Sequence, residues 1–233
     1  MYFSRALISI IFIILINCNL FAQEFSFAAM SDSRGSVNGV NESVLTKLVN
    51  HLVTNQQEAK FLFFIGDMVD GNVHDADITI SQLQFWKETM SPIYNNPDMI
   101  WPYIWPIVGN HEVRRREDED NFRRLFQDVF MNGPDDEVGL TYSFDYNNVH
   151  FAVVNTNRWY YGDLIDTTDD RRDWHYLKYI DWLEKDLSAA HQRNVNHIFV
   201  LGHEMPFPIG GHLRDGLPNL GLKLTLPLDS TRL

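Results

Sequence analysis

The run Phe61-Leu-Phe-Phe-Ile65 is apolar at every position and then breaks off at Gly66-Asp67. A strand with one face in water alternates apolar and polar side chains, so an unbroken run demands cover on both faces. That demand excludes a single exposed sheet and requires further layers on either side. The flanking sequence supplies them. Asn41–Gln56 sets Val44, Leu45, Leu48, Val49, Leu52 and Val53 on one helical face, with Asn41 at the N-cap position. Strands are expected at Glu24–Ser31, Tyr103–Val108 and Asn196–Leu201, and helices at Ser81–Met90, Glu117–Phe130 and Trp174–Arg193. Asp32-Ser-Arg-Gly35 reads as a turn. Tyr142–Tyr146, Asn147-Asn148 and Val149–Val154 read as strand, turn and strand. This order predicts an α/β layered fold with antiparallel strands mixed in. With no repeat, low-complexity tract or Pro/Gly-rich linker, residues 24–233 are expected to form one domain.

The first 23 residues read differently. Arg5, the apolar stretch Ala6–Ile16 and the small or polar residues up to Gln23 describe a secretory signal peptide. Spanning a membrane takes roughly 18 or more apolar residues, and Asn17 and Asn19 interrupt this run. A lipid anchor on Cys18 is the lesser alternative, because Leu15-Ile-Asn is not the small-residue pattern such anchors use. The expectation is an exported protein, periplasmic or extracellular, without a stable membrane span after cleavage. Cys18 is the only cysteine, so the mature chain would carry no disulfide and no thiolate. Any metal must then be held by oxygen and imidazole. The formal net charge is −12, and one unit more negative without Arg5. Such a balance argues against a broad basic face for nucleic acid and leaves carboxylates free for cations.

The informative polar residues stand at the strand ends. They are Asp32, then Gly66-Asp67-Met-Val-Asp70-Gly71, then Gly109-Asn110-His111-Glu112, and finally Gly202-His203-Glu204-Met-Pro206. Taken singly, Gly-Asp after a strand is commonly just a turn, and a lone His is more often solvated or in a core than a ligand. Taken in order, they place carboxylate, carboxylate, amide–imidazole and imidazole on the rim where layered α/β folds build their sites. Glycine before Asp67, Asn110 and His203 permits sharp turning and close approach. Oxygen and nitrogen donors of this mixture suit Mn, Fe or Zn.

On these residues the chain resembles the calcineurin-like metallophosphoesterase superfamily, which includes purple acid phosphatases. The family reads Asp-x-His, Gly-Asp-x-x, Gly-Asn-His-Asp/Glu, a strand ending in His, and lastly Gly-His-x-His. Gly66–Gly71, Gly109–Glu112 and Val200–Pro206 match it, as do the hairpin Tyr142–Phe151 and the helix around Trp182–Leu187. The resemblance implies mixed β-sheets in a sandwich flanked by helices. It further implies two divalent or trivalent metal ions, Mn, Fe or Zn, bridged by Asp67 and holding a hydroxide that attacks phosphorus. Asp32 would complete the first metal, and Asn110 and His203 the second. His111 would sit over the leaving oxygen as proton donor or charge stabiliser. Asp70 would orient His111, or is merely an exposed turn acid. Substrates would be small phosphate esters or nucleotides.

Two departures accompany the match. Asp-x-His is Asp32-Ser33-Arg34 here, and an arginine stays protonated and cannot bind a cation. Arg34 either contacts substrate phosphate or is a solvated loop residue, and Asp70 is an alternative ligand. Gly211-His212 resembles the start of the helix that follows the strand-His element, yet no Gly-His-x-His appears before Leu233. The expectation is a domain incomplete at its C-terminus, lacking its final strands. The alternative function is therefore an impaired or inactive homologue that at most binds metal or phosphate.

Overall fold

The computed structural model describes residues 24–55, 58–100, 103–135, 137–157 and 172–204. The leader 1–23 with Cys18, the stretch 158–171, His212 and the tail 220–233 lie outside the described residues. In chain order the elements are β1 (Ser26–Met30), β2 (Arg34–Val37), α1 (Glu42–Asn55), β3 (Ala59–Ile65), α2 (Ala76–Thr89) and α3 (Ser91–Tyr94). There follow β4 (Ile104–Ile107), α4 (Arg116–Leu125), β5 (Tyr142–Tyr146), β6 (Val149–Val153), α5 (Arg172–Gln192) and β7 (His197–Leu201).

The apolar run of β3 is central in a three-stranded parallel sheet of order β1-β3-β4. Its side chains alternate between two cores, which is why every position is apolar. Leu62 and Phe64 face α1 and α2, packing with Leu45, Val49, Leu83 and Trp86. Phe61 and Phe63 face the other way, with Trp105 and Ile107 of β4, toward Tyr142, Phe151 and Val153. Those partners belong to a second sheet of order β5-β6-β7, antiparallel at β5/β6 and parallel at β6/β7. The sheets meet through aromatic rings, Trp105 on Phe144 at 3.9 Å and Phe63 on Phe151 at 5.2 Å between centroids. On the outer face of the second sheet, Asp186 of α5 bonds Ser143 Oγ at 2.7 Å and His150 Nε2 at 2.7 Å. Helices thus flank a two-sheet sandwich, the α/β layered architecture expected from the strand and helix order.

Local chemistry sets the boundaries. Asn147 and Asn148 both hold left-handed φ, 46° and 63°, the geometry of a two-residue hairpin turn. Three expected boundaries need correction. The segment read as a turn at Asp32–Gly35 runs into β2, because Asn38 and Gly39 turn the chain back so that Arg34 and Val37 bridge to Val40. α2 begins five residues before Ser81, capped by Asp75 Oδ1, which accepts from the Asp77 N–H at 2.9 Å. α4 stops at Leu125, where Phe126 leaves helical geometry to pack on Phe122 and Trp86.

Candidate metal centre

The ends of β1, β3, β4 and β7 converge. Gly66, after β3, has a left-handed φ of 68°, and a Cβ there would collide with the His203 ring and sit 2.8 Å from Gly109 Cα. A Cβ on Gly109, after β4, would lie 2.6 Å from Asp67 Oδ1 and 2.8 Å from Glu112 Oε2. Glycine at both places is what lets three loop tips touch. Asp32 and Asp67 themselves hold left-handed φ of 59° and 53°, a conformation that costs an ordinary side chain energy and that Asp tolerates better than most.

Asp67 lies at the middle and is buried. Its Oδ1 is 3.2 Å from His203 Nε2, and its Oδ2 is 3.0 Å from Arg34 Nε and 4.0 Å from His111 Nε2. Burial alone would raise its pKa, but the hydrogen bond and charge of His203, with His111 and Arg34, outweigh it and hold the carboxyl below its usual value. His203 is the partner case. Burial works to lower its pKa, whereas Asp67 and the Ile65 carbonyl raise it to about 9. His203 Nδ1 donates to that carbonyl at 3.0 Å, which fixes the ring and leaves Nε2 turned on Asp67.

His111 is half-buried. Its Nδ1 donates to the Asp70 carbonyl at 2.6 Å, its backbone N–H donates to Asp67 Oδ1 at 3.2 Å, and the guanidinium of Arg34 contacts its Nε2. Burial lowers its pKa, and Arg114 and Arg34 add to that effect against the charge of Asp67. The Asp70 carboxylate is exposed and 3.5 Å from His111 Nδ1, so the backbone carbonyl of Asp70 makes the shorter contact. Asp32 meets the cluster through its backbone, whose N–H donates to Gly66 O at 3.1 Å, and its side chain stays exposed. Asn110 is likewise exposed, between Gly109 and His111. Asp67, His203 and His111 are therefore in direct contact, with Asp32 and Asn110 at the edge.

Glu112 was not singled out by the strand-end pattern. Fully buried, it accepts from the backbone N–H groups of Asp67 (2.8 Å), Gly109 (2.7 Å) and Val69 (3.1 Å). Its place in Gly-Asn-His-Glu was the available signal, but three donors from two loops become visible only in space. Arg114, which donates to the Asp70 carbonyl at 3.2 Å and lies against the His111 ring, was missed too.

Whether these groups fit a cation differs between the two oxygens of Asp67. On the Oδ1 side stand a carboxylate and an imidazole of fixed orientation, donors of the kind that suit Mn, Fe or Zn. On the Oδ2 side stands a guanidinium. Two unit charges 4 Å apart interact with about 4 kcal/mol at an effective permittivity of 20, and a divalent ion doubles the repulsion. Among the described residues no group of three His, Cys, Asp or Glu is already gathered as a cation site.

Fold and donor set define an α/β sandwich with an acid–imidazole cluster at its strand ends. The sequence model of the calcineurin-like phosphoesterase family matches residues 26–224. The chain belongs to that family, one of metal-dependent phosphoester hydrolases. No match to a curated protein was found.

Proposed function

We propose that this chain hydrolyses phosphate esters, small molecules or nucleotides, at a metal centre built on Asp67. The observation that carries the reading is the buried carboxylate of Asp67 with its Oδ1 3.2 Å from His203 Nε2, a ring whose other nitrogen is tied to Ile65 O. Asp67, His203 and Asn110 would hold a cation, with Asp32 at the edge of the same site. Bound metal supplies charge neutralisation for the phosphoryl oxygens and activation of water. The chain's own groups do the rest. His111, held at Nδ1 by the Asp70 carbonyl, would stand over the leaving oxygen as proton donor or charge stabiliser. Arg114 braces that ring. Among the described residues no helix is long and apolar enough to cross a membrane. Export directed by residues 1–23 belongs to the same reading, and N-terminal sequencing of the mature protein checks it.

The test is hydrolysis of an aryl phosphate together with metal uptake from Mn(II) or Zn(II). The wild-type chain is expected to do both. Asp67→Asn should lose metal and slow hydrolysis roughly a thousandfold, the scale of removing a charge-stabilising group. A wild-type protein that takes up no metal and cleaves no phosphate ester overturns the reading.

A further inference from the structure

We infer that the centre takes one cation rather than two, because Arg34 holds the second position as a permanent guanidinium charge. The inference rests on the proposed metallohydrolase reading and concerns the composition of that same site. Arg34 Nε lies 3.0 Å from Asp67 Oδ2, the oxygen that a bridging carboxylate would turn to its second metal, and the guanidinium reaches on to His111 Nε2.

This placement is built in by the backbone. Ser33, the preceding residue, is pinned on three sides. Its Oγ donates to Met68 O at 2.7 Å and accepts from Trp86 Nε1 at 3.1 Å, and its carbonyl accepts from the Asn41 N–H at 2.7 Å. Arg34 itself bridges to Val40 across the β2 turn. Its Cα is thereby fixed beside the β3 tip, and its side chain has a buried acid as partner. A guanidinium presents only N–H donors, so it cannot become a ligand. On the opposite oxygen stands Nε2 of the His203 imidazole, a nitrogen of the kind that ligates metals. Asp67 thus faces an exchangeable cation through Oδ1 and a resident one through Oδ2. The substrate's phosphoryl oxygens would meet one metal charge and one arginine charge.

Metal stoichiometry and Mn(II) electron paramagnetic resonance test this without reference to turnover. Metal-free wild-type protein equilibrated with Mn(II) is expected to bind one equivalent and to show the six-line spectrum of an isolated ion. Arg34→His replaces the guanidinium with an imidazole beside Asp32 and Asp67. It should bind a second equivalent, with the six lines giving way to an exchange-coupled spectrum. Two equivalents in the wild type, or a folded Arg34→His variant that stays at one, overturns the inference and leaves the metallohydrolase reading intact. A wild type that takes up neither Mn(II) nor Zn(II) and cleaves no phosphate ester overturns both. The wild-type count decides even where the variant fails to fold.

Discussion

At Glu112 a single buried carboxylate gathers three backbone N–H groups, those of Asp67 and Val69 from the β3 loop and of Gly109 from the β4 loop. Burial, then the charge of Asp67, pushes its pKa up to about 7. Glu112→Ala leaves those donors without an acceptor, and each buried orphan costs about 1–3 kcal/mol. The variant should lose about 3 kcal/mol or more in urea unfolding and bind metal more weakly, since nothing then clamps Asp67 to Gly109. His203 makes a different prediction. Its folded pKa of about 9 lies above the ordinary 6.5, so its ion pair with Asp67 stabilises the metal-free protein fully below about pH 6.5. That contribution, on the order of 3 kcal/mol, is lost as pH rises through about 9. Melting of the metal-free wild type should converge on that of His203→Gln across this window. Parallel curves for the two proteins would contradict it.

Among the elements, α5 is fastened to the second sheet through Asp186, which meets both Ser143 and the buried His150. His150 bonds Asp145 at 2.6 Å through Nδ1 and Asp186 of α5 at 2.7 Å through Nε2, while Arg193 holds Asp145 from beyond. Removing His150 takes a hydrogen-bond partner from Asp186 while Arg193 still holds Asp145, at about 1–3 kcal/mol for the stranded acceptor. His150→Leu should show that loss by chemical denaturation, and adding Asp186→Leu should recover part of it. The hairpin that carries Asp145 and His150 was legible from Asn147-Asn148, because the turn itself demands left-handed residues. The reach of α5 to it was not, since Asp186 is 36 positions from His150. β2 went unread for a related reason: its four residues are held by bridges to Val40 instead of by an apolar pattern of their own.

For the whole molecule, the two sheets share one aromatic layer with Phe151 in it. Phe151 meets Phe61 and Phe63 of the first sheet at 5.7 and 5.2 Å, and Phe199 of β7 at 5.4 Å. Phe151→Ala should cost about 3–5 kcal/mol, the usual range for emptying an aromatic site in a core. Metal affinity should fall with it, because the same ring seats β7 and β7 delivers His203. Unfolding midpoint and Mn(II) titration read the two effects separately. An unchanged affinity in a destabilised but folded variant would show that β7 is held by its pairing with β6 alone.

Local rules determined a good deal of this protein from sequence alone. An unbroken apolar β3 required two covered faces, periodicity marked α1, paired asparagines marked the hairpin, and acids and imidazoles after the strands marked where a site would lie. Each of those signals depends on neighbours within a few residues, so it survives in a one-dimensional reading. Tertiary structure alone decided which polar groups meet. Nothing near Arg34 in the chain announces Asp67, 33 residues on, as its partner, and nothing near Glu112 announces three waiting N–H groups. Burial turns such encounters into strong interactions by removing water, and burial is a property of the packed layers.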